Sequence, residues 1–161
     1  MNKTPPDFTK IFFDSLGGPP AAITYPVRRA GNTLHDVIFL SSLLHDARVL
    51  NPKIQPSNGR MEIRFNRDCW ELGMRQTQAS AVLHVVDSVL TFKGVIAASW
   101  KGEALSKAEP WLDHCWIDHQ FRDHDAVEFT FSLFGEGWQC DIRLTRDDWG
   151  IEMRDEGMPH E

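Results

Sequence analysis

The sequence predicts an α+β protein: an antiparallel sheet of about five to seven strands with N-terminal helices packed on one side. Three observations predict it. Helical spacing of apolar residues is confined to the chain before residue 46. Two-residue alternation dominates after it, and turn signals at Asn58-Gly59, Gly94, Gly135-Glu136-Gly137 and Asp147-Asp148 divide the alternating runs. Helices and strands segregated in this way favour α+β over a parallel βαβ arrangement. The 161 residues are 42% hydrophobic and 25% charged, which suits one soluble globular domain over 1–161. Residues 1–30 read as an N-terminal helix and extended arm, and 31–161 as the main body. A chain of this length buries about 70% of the surface that its unfolded form exposes, so it needs no disulfide or metal staple.

The elements follow in order. Phe8, Ile11, Phe12 and Leu16 recur at helical spacing, with Asp7 as N-cap and Gly17-Gly18-Pro19-Pro20 as the stop. Ala21 to Arg29 is extended, and Pro26 argues against a central strand. Asn32 or Thr33 caps a second helix that carries Leu34, Val37, Ile38 and Leu44 and ends near Leu44. An extended run follows, interrupted by Pro52. Asn58-Gly59 is the strongest hairpin turn, and Met61, Ile63 and Phe65 then alternate with Glu62 and Arg64. Val82 to Phe92 is rich in β-branched residues and reads as a strand buried on much of both faces. Gly94 breaks it, and Val95 to Trp100 resumes. Lys101 to Asp125 is polar and long, so it reads as a functional loop or a short helix. Val127 to Leu133 and Trp138 to Leu144 alternate on either side of the glycine turn, forming a hairpin with one wet face. Trp149, Ile151 and Met153 suggest a final strand, and 155–161 a polar end.

Formal net charge is −6, spread unevenly: residues 1–80 carry +3 and residues 81–161 carry −9. An acidic chain repels phosphate backbones, which disfavours nucleic-acid binding. No apolar stretch approaches a membrane span, and the N-terminus lacks a signal-peptide pattern. Cys69, Cys115 and Cys140 are odd in number and widely spaced, so reduced thiols and a cytoplasmic location are expected. Cys140 falls in a strand pattern beside Trp138 and Ile142 and reads as core.

The notable chemical pattern is histidine beside aspartate: His35-Asp36, His45-Asp46, Asp113-His114, Asp118-His119 and Asp123-His124. Imidazole with carboxylate suits Zn²⁺, Mn²⁺ or Fe²⁺. Leu43-Leu44-His45-Asp46 resembles the central step of HD-domain phosphohydrolases. That resemblance implies a metal held by His45 and Asp46, with His35 upstream and Asp87 or Asp113 downstream. The family is all-helical, whereas this chain turns into strands directly after the pair. His114, His119 and His124 recur every five residues, which places them on one face of neither a helix nor a strand. Only a loop gathers them. If any metal binds, the ligands are expected among His45, Asp46, His114 and His119, giving a metal-dependent hydrolase as the alternative to a binding role.

Nucleophilic and phosphate-handling chemistry has little support. There is no GxSxG elbow, no cysteine-protease signature and no phosphate loop. Cys115 and His114 are sequence neighbours whose side chains diverge in regular structure. Glu128 and Asp141 are candidates to oppose one another across the last hairpin, although a wet strand face accounts for them better. No motif calls for a cofactor.

Trp138 and Trp149 sit in strand patterns and read as core. Trp111 and Trp116 sit among the carboxylates of residues 111–125. Aromatics exposed in an acidic surround suit a protein-binding face. His45-Asp46-Ala47-Arg48-Val49, then Gly59 with Met61-Glu62-Ile63, then Leu90-Thr91-Phe92-Lys93-Gly94-Val95, resembles a layout in small uncharacterised bacterial α+β domains, some of them immunity-type proteins of toxin systems. The resemblance covers residues 34–100 and implies a bacterial protein that binds a partner rather than one that catalyses. The resulting expectation is a non-catalytic domain whose site comprises Trp111, Asp113, Trp116, Asp118 and Asp123 and whose partner is a protein with a basic face. A small-molecule pocket over the sheet is the third reading. A hydrophobic sheet edge is where a homo-oligomer would form, and nothing in the sequence specifies one.

Overall fold

A computed structural model describes residues 22–69, 75–76, 81–82, 85–106, 110–157 and 159–160. The helix expected over residues 8–16 lies outside them. The rest is a sheet-dominated, antiparallel α+β fold, and it departs from the expected single sheet. Two sheets face each other. One has the order β1 (Thr24–Pro26), β11 (Gly150–Asp155), β6 (Val85–Lys93), β3 (Arg60–Asp68), β2 (Arg48–Val49). The other has the order β7 (Val95–Lys101), β10 (Trp138–Thr145), β9 (Glu128–Gly135), β8 (His114–Ile117). A short pair, β4 (Arg75–Gln76) and β5 (Ala81–Val82), stands apart from both.

The core lies between the two sheets. Met61, Ile63 and Phe65 of β3, Leu90 and Phe92 of β6, and Ile151 and Met153 of β11 point inward. Phe129, Phe131 and Leu133 of β9 and Trp138, Cys140, Ile142 and Leu144 of β10 meet them from the other side. Phe92 and Phe131 touch edge-to-face across the gap, with ring centroids 5.3 Å apart. Each such side chain contributes about 1.5–3 kcal/mol by leaving water. Cys69, Cys115 and Cys140 are all buried and free, as the strand pattern around Cys140 predicts. Burial pushes the Cys115 thiol up to about 12.

Among the described residues there is one α-helix, α1 (Thr33–Leu44), the second of the two expected before residue 46. It buries Thr33, Asp36, Val37, Leu40, Leu43 and Leu44 at helical spacing. It packs chiefly on β8 and also touches β3, so it closes the side where the two sheets meet. The Ser41 hydroxyl accepts the Cys115 N–H at 3.0 Å, which satisfies part of the free edge of β8. Asn32 stands at the N-cap position but makes no side-chain capping bond. Instead the Thr33 hydroxyl reaches back to the Arg28 carbonyl.

The chain crosses between the sheets at Gly94 and again at the β10–β11 turn. Gly94 turns β6 into β7 with φ +70°, and a side chain there would meet the Asp148 carbonyl at 2.6 Å. The connection from β7 to β8, which starts and ends in the four-stranded sheet, reaches over to the edge of the other sheet and carries the candidate site. Leu112 exchanges backbone bonds with the α1–β2 connection: its N–H donates to the Ala47 carbonyl and its carbonyl accepts from Asp46. Trp111 forms a bridge with Arg48. Two residues later the chain has entered the four-stranded sheet as β8.

Candidate functional site

The segment read as a functional loop or a short helix over 101–125 carries regular structure in its described residues. It contains single 3₁₀ turns at Glu103–Ser106 and His119–Arg122, with β8 between them. In β8, Cys115 and Ile117 face the core while His114 and Trp116 face out. β8 pairs with β9 so that His114 stands opposite Phe134 and Trp116 opposite Ser132. The His114 and Phe134 rings stack at 4.7 Å.

Trp111 is 52% exposed and Trp116 is 45% exposed. Trp111 is held from two directions. Its carbonyl accepts the Trp138 indole N–H at 2.8 Å. The Arg48 guanidinium lies over its ring at 5.6 Å. Asp113 and Asp123 are exposed and Asp118 is half-buried. Residues 111–128 carry five carboxylates and one arginine, so the local field is negative.

A basic residue outside the segment fixes it in place. Arg146, from the β10–β11 turn, donates to the carbonyls of Gln120 at 2.6 Å, Phe121 at 3.0 Å and Ala126 at 2.5 Å. Phe121 packs edge-on against Phe129 and Trp149 at 5.4 and 6.1 Å. The carboxylates of Asp118, Asp123 and Asp125 are thus carried by a clamped frame, which lowers the ordering cost of binding. Sequence reasoning missed Arg146. The arginine-after-strand pattern carries no local signal for three distant carbonyls.

Beside the aromatic edge, the outer face of the four-stranded sheet is polar. Asp141 stands opposite Ser132 on β9, and Glu128 stands opposite Thr145, so these two carboxylates do not face each other as was considered. Asp141 accepts from Ser132 at 2.7 Å, Gln139 at 2.6 Å and Lys101 at 3.0 Å. Burial alone would raise its pKa; the donated bonds from Gln139, Ser132 and Lys101 outweigh that and lower it.

The His-Asp pairs have separate places. His45 ends α1, and its Nδ1 lies 3.0 Å from Asp46, which adopts φ +61°. His114 is stacked on Phe134, and His119 opens the second 3₁₀ turn. Among the described residues, no three His, Cys, Asp or Glu side chains gather where a metal could be held. Asp68 near Asp46 has a raised pKa, first from burial and then from the Asp46 charge.

Asp36, the carboxylate of the first pair, serves the fold. Its side chain is 2% exposed and receives the Arg28 guanidinium through two bonds of 2.8 and 2.7 Å, together with the Arg28 N–H and the Tyr25 hydroxyl. The Arg28 bonds lower its pKa to about 2, while burial and the Asp36 charge push Tyr25 up to about 12. A depressed carboxylate pKa stabilises the fold above its unfolded value and loses that contribution as pH falls through the folded value. Acid titration between about pH 4 and 2 is therefore expected to remove this contribution from the wild type, screened in part by the solvent around Arg28. Asp36→Asn should be less stable at pH 7 and show a flatter acid limb, read by urea unfolding at each pH.

A groove of about 350 Å³ lies between the β2–β3 connection and the outer face of β3. Asn51, Ile54, Gln55, Arg60, Met61 and Arg64 are among the residues that line it. No described helix is long and apolar enough to cross a membrane. Comparison with family models, curated proteins and solved structures gave no match for this chain.

Proposed function

We propose that this chain is a non-catalytic binding domain of a bacterial cytoplasm, of inhibitor or immunity type, which holds a basic partner protein against residues 111–123. The observation that carries the reading is two large tryptophan side chains, each about half exposed, on a six-residue run that Leu112 ties to the α1–β2 connection, among carboxylates. A six-residue extended run reaches at most about 18 Å, so Trp111 and Trp116 fit within one interface footprint. Tryptophan is enriched among the residues that dominate binding energy, and a negative surround speeds encounter with a positive surface. Asp113, Asp118 and Asp123 supply that surround.

The test is affinity capture from extract of the source cells, with three baits: wild type, Trp111→Ala/Trp116→Ala, and Asp113→Asn/Asp118→Asn/Asp123→Asn. One basic protein, retained by wild type and lost from both variants at unchanged melting temperature, is the expected result. Capture that is identical for all three baits would overturn the assignment of the site.

A further inference from the structure

We infer that the open face of Trp116, with the Asp118 carboxylate beside it, is a subsite for an arginine side chain of the partner; this rests on the binding function proposed above. Three other aromatic rings of the molecule carry a guanidinium. Arg48 lies over Trp111 at 5.6 Å, Arg29 over Trp149 at 5.9 Å and Arg146 over Phe121 at 6.0 Å. Each ring takes a guanidinium from its own chain. Trp116 is 45% exposed and has no ring or cation partner among the described residues.

The neighbouring carboxylate is incomplete as well. The Asp118 N–H donates to the Thr130 carbonyl at 2.9 Å, which continues the β8–β9 ladder past the Trp116–Ser132 pair. Two residues apart on an extended strand, Trp116 and Asp118 share one side, about 7 Å from each other. The Asp118 Oδ1 is buried with no hydrogen-bond partner among the described residues. Its other oxygen, Oδ2, is not buried and accepts no hydrogen bond among the described residues, so it is the one open to an incoming donor.

A group that completes both must be flat, cationic and rich in N–H donors. Guanidinium meets all three conditions: it stacks on indole and pairs with carboxylate through a planar fork. An ammonium supplies the charge without the plane. Phosphate-bearing ligands meet the carboxylates of Asp113, Asp118 and Asp123 and are repelled. The subsite also needs little ordering, because Arg146 already holds the segment that follows Asp118.

The probe is a hexa-arginine peptide titrated into the nitrogen-15-labelled full chain, with hexa-lysine and hexa-citrulline as controls. The readout is the tryptophan indole N–H signals. The Trp116 signal should move saturably with hexa-arginine, at a Kd at least about fivefold below that for hexa-lysine, with no saturation by hexa-citrulline. Asp118→Asn and Trp116→Ala should each weaken hexa-arginine at least about fivefold, the latter read from the backbone amide signals of β8, while Glu152→Gln, an exposed carboxylate on β11, changes it by less than about twofold. Equal affinity for the two cationic peptides, or indifference to Asp118→Asn, would overturn the subsite. The two proposals fail separately: a partner that still needs Trp111 and Asp113 but ignores Asp118→Asn removes the subsite and leaves the binding function.

Discussion

Asp155→Ala is expected to destabilise the fold by about 3–5 kcal/mol, the largest single loss outside the aromatic core. Asp155 and Arg67 form an ion pair with both side chains fully buried. Arg67 donates to the two Asp155 oxygens at 3.1 and 2.8 Å, and the Ser88 hydroxyl donates to Oδ1 at 2.6 Å. The Ile23 N–H donates to Oδ2 at 3.1 Å, which ties the strand entering β1 to the end of β11. Removing the carboxylate takes the Asp155 charge from the buried Arg67 guanidinium and the acceptor from the Ser88 hydroxyl and the Ile23 N–H, and that penalty exceeds the net worth of the pair. The paired replacement Arg67→Met/Asp155→Leu should therefore recover most of the loss. Urea unfolding of the three variants measures this. A loss below about 1 kcal/mol for Asp155→Ala would contradict the account.

Gly135→Ala should damage both stability and binding, because this glycine gives room to the contact that orients Trp111. A side chain there would meet the Trp138 indole nitrogen at 1.9 Å and the Trp111 carbonyl at 2.1 Å. Those two atoms form the 2.8 Å hydrogen bond that seats Trp111. Overpacking of this kind costs about 1–3 kcal/mol, and the carbonyl is backbone that cannot swing aside. Partner affinity should fall at least about tenfold with the sheet intact, since one displaced hot-spot tryptophan is worth that much. Trp138→Phe removes the donor but keeps the space, so its effect on affinity should be smaller. Calorimetry of the captured partner against both variants, with far-ultraviolet circular dichroism, reads this directly. Undiminished affinity in Gly135→Ala would show that Trp111 does not depend on its seat.

Much of the element order was legible because it is local. Thr33 to Leu44 carries its apolar stripe and ends where expected. The alternation of Phe129, Phe131 and Leu133 with that of Cys140, Ile142 and Leu144 places the last hairpin and its wet face. On the outer face of β6 only Val89 is buried, between Asp87 and Thr91, so this strand is buried on one face and not on much of both as its β-branched run predicts. The pairing of strands was not legible. Alternation says which side chains turn inward, and it does not say which sheet they meet. Phe92 and Phe131 therefore read as members of one sheet and lie on two. β8 was missed because only Cys115 and Ile117 mark its inner face, between polar flanks. Of the candidate site, Trp111 and Trp116 were visible as tryptophans out of pattern. The Arg48 cover over one of them, the Arg146 clamp and the buried Arg67–Asp155 pair join residues far apart in sequence, so no window along the chain could display them.

The most direct test of the binding surface is hydroxyl-radical footprinting of this chain alone and with its captured partner. Trp111 and Trp116 should oxidise readily in the free protein and be shielded in the complex, while the buried Trp138 and Trp149 stay slow in both. Equal oxidation of Trp111 and Trp116 with and without partner, alongside protection of the groove at Arg60 and Arg64, would move the interface to the other sheet and contradict the proposed function.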